Sequence, residues 1–346
     1  AGGKIVLVLP DLPDTGRGWR FQSPSVTFTA PSSGAPSASA SFNSSLRTLT
    51  LTTANATMAQ ATQHAITISN VHTPSSIVDA TTMQAMVLDS TDKSIDATSD
   101  MVVDQIAAGS FTGARSFDTG TDTPGVKDTA TLSFTPTGTI HVGGSIEIVM
   151  PTLTGLQSPW SFETPSASWT TPSAYAATAE STTWDAGTRT LTIVVATNDV
   201  VMGAAQVIEI ANARTPSSIV NASTVIVTSK DSRGKVIDGP TPMATDAITA
   251  GAISGSPRFD TATDTPGFKD SATVTFTTAG QVQAGGFVQL VMPDLSAGSA
   301  LQSEWGFEDP AVSYAAPTSG APSAIAFFNA SARTLTLATA GATMSQ

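Results

Sequence analysis

The sequence predicts an all-β protein made of tandem β-sandwich repeats of about 142 residues each. Three observations point to this class: long segments recur at a fixed spacing, short segments alternate polar and apolar residues, and turn-forming residues separate them. No long segment combines a helical period with helix caps, so we expect no substantial helix. Hydrophobic residues make up 40% of the 346, which is enough to bury a core.

The repeats are visible as nearly identical segments. Residues 117–134 recur at 259–276 with 13 of 18 positions identical. Shorter segments recur at offsets of 141 to 144 residues: GGKIVLVLP at 2–10, GGSIEIVMP at 143–151 and GGFVQLVMP at 285–293, and likewise RTLTL at 47–51, RTLTI at 189–193 and RTLTL at 333–337. We therefore predict a partial repeat over 1–109, a complete repeat over 110–251 and a partial repeat over 252–346, as a segment of a longer tandem array.

Within one repeat, alternating segments rich in Thr, Val and Ile indicate strands: ATLSFT (130–135), SIEIVM (145–150), RTLTIVV (189–195), QVIEIA (206–211) and STVIVTS (223–229). Gly, Pro, Asn and Asp clusters between them indicate turns. Seven to nine strands per repeat, in two similar pairs, fit one immunoglobulin-like sandwich with Greek-key connections. The predicted joints, 106–116 and 248–258, are short, so we expect neighbouring repeats to be held close together.

Composition excludes several classes of function. The chain has 15 basic and 27 acidic residues, a net charge of −12, which argues against a nucleic-acid partner. Its longest apolar runs, such as 5–10, are far shorter than the ~20 residues of a membrane-spanning helix, so we expect no membrane insertion. The absence of cysteine excludes a disulfide scaffold, a thiolate zinc site and a cysteine nucleophile.

The sequence contains no arrangement typical of catalysis. The three histidines are replaced one repeat later: His64, His72 and His141 align with Gln206, Arg214 and Gln283. The repeats therefore share no histidine-dependent chemistry, and no nucleophile-elbow, Walker or dinucleotide-binding motif is found. We predict that the protein is not an enzyme and has no catalytic residues.

Two acidic loops are candidate calcium sites, because calcium prefers several oxygen ligands. Their aspartates are Asp118, Asp122 and Asp128 in one repeat, and Asp260, Asp264 and Asp270 in the next. The spacing is not that of an EF-hand, and each loop contains a lysine, Lys127 or Lys269. We favour a turn in which Asp and Thr side chains bond backbone amides, so we expect no cofactor, with calcium as the alternative.

An aromatic pair also recurs, in the pattern W-x-F-x-x-P. Its members are Trp19 and Phe21, Trp160 and Phe162, and Trp305 and Phe307. Side chains two residues apart point to the same face of a strand. We favour packing in the sandwich core, and a contact with another domain or subunit and stacking on a sugar are the alternatives.

Four N-x-[ST] sequons make Asn43, Asn55, Asn221 and Asn329 candidate glycosylation sites. The chain also has 54 Thr and 41 Ser, and several segments mix Ser, Thr, Pro and Ala, a composition that suits O-glycosylation. Chance in so Ser/Thr-rich a chain is the alternative origin of the sequons. Covalent glycans would indicate an extracellular glycoprotein.

The order of these segments resembles a known class. A strand that ends in F-T, a Gly-Gly pair, I-x-I-x-x-P, T-L-T-[LI] and a T-P turn follow one another in this chain. This order is similar to the tandem immunoglobulin-like repeats of giant secreted surface proteins of unicellular algae and other protists, including those of flagellar hairs (mastigonemes) and cell coats. Large bacterial adhesins use similar sandwiches. The resemblance implies an extracellular, structural role at the cell surface.

The repeats and the absent catalytic residues predict the repeated part of an extracellular filament or cell-surface fibre. Tandem sandwiches bury their own cores, and each touches mainly its neighbours. Exposed strand edges with few charges favour self-association through β-pairing. The alternative is the non-assembling stalk of a surface adhesin, whose ligand-binding domain lies outside this sequence.

Overall fold

The computed structural model describes residues 2–31, 34–173, 176–295, 304–314, 323–340 and 343–344. In this part of the chain every regular element is a β-strand, which confirms the predicted all-β class. These residues include no helix long and apolar enough to cross a membrane. We refer to residues 2–109, 110–251 and 252–344 as the first, middle and third units; these boundaries stay predictions.

The middle unit is a closed sheet of nine strands. In spatial order these are β10, β11, β16, β13, β14, β15, β12, β17 and β18, and β18 returns to β10. Their bounds are β10 Thr112–Thr119, β11 Lys127–Thr135, β12 Ser145–Val149, β13 Ser161–Thr171, β14 Thr178–Asp185, β15 Thr190–Ala196, β16 Gln206–Arg214, β17 Ser223–Lys230 and β18 Val236–Thr245.

Two short seams join the faces of this sheet, and they account for its closure. At one seam β13 and β14 pair only at Ser168 and Thr178. At the other, β10 runs parallel to β18 and pairs at Ser116 and Phe117. Between the seams, long antiparallel ladders form two opposed faces, so the predicted sandwich is present with its edges hydrogen-bonded to each other.

The core of the middle unit lies between these faces. Strands such as β12 (SIEIV) and β15 (TLTIVVA) bury every second residue, because successive side chains of a strand point to opposite sides. Among the described residues, 25 buried hydrophobic residues form one cluster here. Within the described residues of the first unit, the corresponding cluster has three buried members, Leu7, Leu49 and Leu51.

The first unit repeats the strand pattern but stays open. β1 lies between β5 and β8 in a five-stranded sheet ordered β4, β5, β1, β8 and β9, as β12 lies between β15 and β17. β3 pairs with β6, and β2 pairs with β7. The bounds are β1 Lys4–Val8, β2 Arg20–Phe21, β3 Val26–Ala30, β4 Ser37–Asn43, β5 Thr48–Ala54, β6 Ala65–Ile68, β7 Val71–His72, β8 Thr81–Leu88 and β9 Ser94–Val103.

The third unit contains one hairpin and one three-stranded sheet within its described residues. β19 pairs with β20, and β23 lies between β21 and β22. Their bounds are β19 Ser254–Thr261, β20 Ala272–Thr277, β21 Phe287–Val291, β22 Ser323–Asn329 and β23 Thr334–Ala340.

The predicted joints are only partly irregular. β10 begins at Thr112, inside the joint placed at 106–116, and β19 begins at Ser254, inside the joint placed at 248–258. Phe111 in the first joint is 1% exposed and packs on Phe134, with ring centroids 5.0 Å apart. The small residues suggested a linker, but this one aromatic side chain anchors the segment in the core of the middle unit.

Candidate functional site

The turn between β17 and β18 contains an aspartate that bonds to its own unit and to the first unit. Asp231 is 4% exposed. Its Oδ1 accepts the backbone N–H groups of Arg233, at 2.9 Å, and Lys235, at 3.0 Å. Aspartate commonly satisfies the amides of its own turn in this way, so this half of the carboxylate has a local structural role.

The other oxygen of the same carboxylate bonds to the first unit. Oδ2 of Asp231 accepts the N–H of Gly16 at 2.6 Å and the hydroxyls of Ser76 at 2.8 Å and Ser75 at 3.1 Å. Hydrogen bonds to a charged acceptor are about twice as strong as those between neutral groups. We call this set the Asp231 junction: Gly16, Ser75 and Ser76 of the first unit with Asp231 of the middle unit.

Backbone pairing and electrostatics support the same contact. Beside the Asp231 junction, the N–H of Ile77 donates to the carbonyl of Val236 at 3.0 Å. Burial raises the pKa of Asp231, but hydrogen bonds from Gly16, Ser76 and its own turn outweigh burial and leave that pKa below its ordinary value. The carboxylate is therefore stabilised in its charged form by donors from both units.

A second contact of the same kind joins the middle and third units. Ser158 donates its hydroxyl to Oε1 of Gln283 at 2.9 Å, and Gln157 donates Nε2–H to the carbonyl of Ala284 at 2.5 Å. Gln157 follows Gly16 by 141 residues, so both contacts use the loop that precedes the W-x-F segment. The N–H of Gln281 also donates to the carbonyl of Gly125 at 3.3 Å. Equivalent loops thus join both pairs of consecutive units.

Asp89 is the counterpart of Asp231 in the first unit. Its Oδ1 accepts the N–H groups of Thr91, at 2.8 Å, and Lys93, at 2.9 Å, and the Thr91 hydroxyl at 2.9 Å. These bonds, led by that from Lys93, lower the pKa of Asp89. An aspartate therefore stabilises the same turn in both units. Of these two aspartates, only Asp231 also accepts hydrogen bonds from another unit among those that the described residues form.

The first acidic loop brings together two of its three predicted aspartates and one that the sequence did not suggest. Carboxylate oxygens of Asp118, Asp122 and Asp246 all lie within 4.8 Å of one another. Burial raises the pKa of Asp118, and the charges of Asp246 and Asp122 raise it further. The arrangement is chemically suited to a cation, and the Thr119 hydroxyl already donates to Asp122 at 2.6 Å.

The other predicted aspartates make local bonds. Asp128 accepts the Thr121 hydroxyl at 2.7 Å and the Thr129 N–H at 2.8 Å. The third unit repeats these bonds, since Asp264 accepts the Thr261 hydroxyl, Asp270 accepts the Thr263 hydroxyl and the Ser271 N–H, and Asp260 pairs with Arg258 at 2.6 Å. These bonds match the turn interpretation, and calcium binding stays an untested alternative.

The aromatic pair lies in the core of the middle unit. Trp160 is 4% and Phe162 is 5% exposed, and both contact Phe117, with ring centroids 6.1 Å and 6.5 Å away. β13 is irregular just after this pair, between Phe162 and Ser166, where Pro165 interrupts the ladder. In the third unit, Trp305 and Phe307 contact Phe259 in the same way, and in the first unit Trp19 and Phe21 are half-buried.

All four sequon asparagines are exposed. Oδ1 of Asn43 accepts N–H groups of Ser45 and Leu46, and Asn329 makes the equivalent bond to Ala332. In the equivalent turn of the middle unit, Oδ1 of Asp185 accepts the backbone N–H groups of Gly187 and Thr188. The side-chain oxygen therefore has a turn-forming role at Asn43 and Asn329. Asn55 instead donates Nδ2–H to Ser37 at 2.8 Å, and Asn221 lies between β16 and β17.

The residues of the Asp231 junction were not singled out by the sequence. The sequence does mark these residues by two recurring motifs. D-S-x-x-K occurs at 89–93 and 231–235, and T-P-S-S-I-V occurs at 73–78 and 215–220. Recurrence alone could not pair one motif with the other, since the Asp231 junction joins residues 155 to 215 positions apart. Asp246 was missed for the same reason: it lies far along the chain from the loop that it joins.

No protein-family model and no curated protein matches the chain. Solved structures that share weak similarity include the type II cohesin dyad from the adaptor ScaA scaffoldin of Acetivibrio cellulolyticus, which is 10% identical, with a TM-score of 0.24 over 72% of this chain and 90% of that chain. A candidate membrane-anchored protein of Corynebacterium diphtheriae is 11% identical, with a TM-score of 0.23 over 72% and 82%. TM-scores of this size do not establish a common fold, so the fold assignment rests on the strand pairings described above.

Proposed function

We propose that this chain is a structural segment of a long extracellular filament or cell-surface fibre, of the kind found in flagellar hairs and cell coats. The Asp231 junction is the observation that carries the proposal. A buried carboxylate that bonds to two consecutive units limits how far they can tilt or rotate against each other. Such contacts convert a string of domains into a stiff rod.

The second contact adds support because it uses the equivalent loop. Gln157 and Ser158 bond to the third unit, as Gly16 bonds to the middle unit. The loop that makes the contact recurs at the repeat spacing, although it meets Asp231 in one case and Gln283 and Ala284 in the other, so units can be added in series through this loop. Length is then set only by repeat number, as a fibre requires.

Exposed strand edges support lateral association. β22 lies at one edge of its sheet, and Ile325 and Phe327 on it are 66% and 55% exposed. Only 12% of the residues of the chain are charged, so few charges oppose pairing between edges. We infer that copies of this chain are partners of one another, that covalent glycans cover part of the surface, and that the segment has no catalytic role.

Electron microscopy of the native protein from its source tests this proposal. We expect uniform fibres whose axial period corresponds to the repeat of about 142 residues. Single-chain strings with a distinct head would overturn the proposal and favour the stalk of an adhesin. Mass spectrometry of tryptic peptides from the same preparation would identify glycans at Asn43 and Asn329.

A further inference from the structure

One loop position lies at both contacts between consecutive units and is held by the same bonds in each. Arg17 donates its backbone N–H to the Ser75 hydroxyl at 2.8 Å, and its carbonyl accepts the N–H of Ser75 at 2.9 Å. One repeat later, Ser158 makes the same two bonds with Ser217, at 3.0 Å and 2.9 Å. We call the position of Arg17 and Ser158 the junction position. Its backbone is the same in the two units, and its side chain differs.

The junction position of the middle unit makes a neutral contact with the third unit. The Ser158 hydroxyl donates to Oε1 of Gln283 at 2.9 Å. Gln283 follows Val282, which forms a backbone bridge with Met344, and Thr343 precedes Met344. The residues beside this bridge therefore carry no charge, and an uncharged hydrogen bond joins the two units.

The corresponding place in the middle unit carries charges. Ile140 and Val200 form the equivalent bridge, and the residues beside it are His141 and Asp199. The ring Nδ1 of His141 donates to Oδ2 of Asp199 at 2.7 Å, and the N–H of Val142 donates to Oδ1 at 3.0 Å. An aspartate and a histidine thus replace the neutral threonine and glutamine of the third unit.

Arg17 acts on this pair from the first unit. Burial raises the pKa of Asp199, but hydrogen bonds from His141 and Val142 and the charges of His141 and Arg17 outweigh burial and leave that pKa below its ordinary value. The side chains of His141 and Asp199 are only 19% and 33% exposed, so solvent screens them less than fully exposed charges. The charge of Arg17 therefore stabilises a carboxylate of the next unit.

Consecutive repeats as similar as these need a means of discrimination. Segments 117–134 and 259–276 are identical at 13 of 18 positions, so units offer one another nearly identical surfaces. Docking of the wrong domains is a characteristic failure of repeat proteins. A contact rejects the wrong partner when a charge is left without its counterpart. Arg17 would meet no anion beside Gln283, and Ser158 would bring no cation to Asp199.

We propose that the side chain at the junction position selects the unit that docks next. Arg17 fits the charged pair of His141 and Asp199. Ser158 fits the neutral side chain of Gln283. Matched side chains join each unit to its own neighbour and oppose docking on another copy of the repeat. This inference rests on the proposed fibre function for its use, because a regular rod requires every unit to dock on the unit that follows it.

Pulsed electron spin resonance of the whole chain, labelled on cysteine, measures the docking of each pair of units. The chain has no cysteine of its own. Labels at Ser44→Cys and Ala186→Cys report on the first and middle units, and labels at Ala186→Cys and Ala330→Cys report on the middle and third units. All three residues are exposed and occupy equivalent turns between strands. We expect a narrow distribution of distances for both pairs of labels.

Mismatched variants should loosen one junction at a time. The ratio of docked to undocked units is compared in urea at the concentration that undocks half of the wild type. Arg17→Ser should lower this ratio between the first and middle units by up to about fivefold, the upper range for an exposed ion pair, and should leave the other junction unchanged. Ser158→Arg should loosen only the middle and third units. Loss of docking at both junctions or at neither would overturn the proposal.

Compensating changes separate selection from simple damage to the loop. His141→Gln with Asp199→Thr should be as loose as Arg17→Ser. The triple variant, which combines these changes with Arg17→Ser, installs the neutral contact and should recover the docking of the wild type; a triple variant no better than Arg17→Ser would overturn the proposal. High salt should loosen this junction in the wild type and not in the triple variant, because salt screens charges. Circular dichroism verifies that each variant is folded.

The results distinguish this inference from the fibre function. Native fibres, together with junctions that tolerate every mismatch, would overturn selection by the junction position and leave the fibre proposal standing. Selective junctions together with single native strings would support the selection and overturn the fibre proposal instead.

Discussion

The first and middle units have the same strand pattern and very different interiors. β1 and β12 each lie between two equivalent strands, yet Ile148 on β12 is 0% exposed and Leu7 on β1 is 9% exposed. The difference is larger at the edge, where Met243 is buried and Met101 is exposed. Burial is therefore a property of the closed sheet and not of any one strand.

The hairpin of β10 and β11 accounts for most of this difference. It supplies Phe117, Leu132 and Phe134 to the core, each at most 1% exposed, and it bridges the two faces. An apolar side chain gains its full transfer free energy only when both faces cover it. The predictions below use matched residues in different units to test this account.

The largest effect is expected at Phe117, which packs against both Trp160 and Phe162. Phe117→Ala should lower the free energy of unfolding of the middle unit by about 3–5 kcal/mol, the usual cost of a buried phenylalanine. Phe259→Ala should cost about 1 kcal/mol in the third unit, because Phe259 is half-buried. Urea unfolding followed by tryptophan fluorescence measures both changes.

Equal losses in the two variants would contradict the account, because they would mean that the third unit is as closed as the middle one. The signal can be assigned to units by retaining one tryptophan at a time. Trp169 reports on the middle unit, where it is 8% exposed, and Trp305 reports on the third.

The next effect concerns the Asp231 junction. Asp231→Ala leaves the N–H of Gly16 and the hydroxyls of Ser75 and Ser76 without their acceptor, which should cost about 1–3 kcal/mol. Asp89→Ala, which removes the same turn from the first unit, should cost about 1 kcal/mol or less. Small-angle scattering should report a shorter maximum dimension or a broader distribution of distances for Asp231→Ala only.

A double-mutant cycle isolates the contact between units. Asp231→Ala and Ser76→Ala should show a coupling of about 1 kcal/mol, since Ser76 donates to that carboxylate at 2.8 Å. Asp89→Ala with Ser76→Ala should show none. Coupling in the second pair would mean that Asp231 is not the acceptor in solution.

The local elements were predictable from the sequence, and the contacts between them were not. RTLTIVV at 189–195 gives β15, and SIEIVM at 145–150 gives β12, because alternation and β-branched residues act within a few positions. The closure of the sheet by β10 and β18 depends on two parallel pairs between residues more than 120 positions apart, and no local pattern encodes it.

In the candidate site, too, the local turns were predictable from the sequence and the contacts between units were not. Asp128 was predicted to hold its own turn, and it accepts bonds from Thr121 and Thr129. Asp231 and Asp89 share the D-S-x-x-K motif, and this motif alone did not indicate that its turn accepts bonds from a preceding unit. That contact depends on how consecutive units stack in the folded chain.

Acid should weaken the Asp231 junction. The pKa of Asp231 is lowered in the folded protein, so its contribution is fully present above the ordinary carboxyl value near 3.8 and is lost as the pH falls through the folded pKa. The coupling between Asp231 and Ser76, measured at a series of pH values, should therefore decrease only below that range. Asp231→Asn should remove this dependence, and coupling that survives protonation would show that the charge is irrelevant.

The smallest effect is expected at Asp118, whose contribution to stability changes with pH in the opposite direction to that of Asp231. The pKa of Asp118 is raised, so its contribution is present below the ordinary carboxyl value and is lost as the pH rises through the folded pKa. Asp118→Asn should thus raise the Tm at neutral pH by about 1–2 °C and have no effect in acid. Asp260→Asn is the control, and it should give no rise, because Asp260 pairs with Arg258.

Calcium distinguishes the two interpretations of this loop. If the aspartates serve the turn, as the bonds of Asp122 and Asp128 indicate, added calcium should leave the Tm of the wild type and of Asp118→Asn unchanged. A calcium-dependent rise in the wild type that Asp118→Asn abolishes would make Asp118, Asp122 and Asp246 a metal site. The third unit serves as an internal reference, because Asp260 and Asp264 there are not part of such a cluster among the described residues. A metal effect that depended on Asp260 as well would place the ion in the turn that both units share and not in the cluster that includes Asp246.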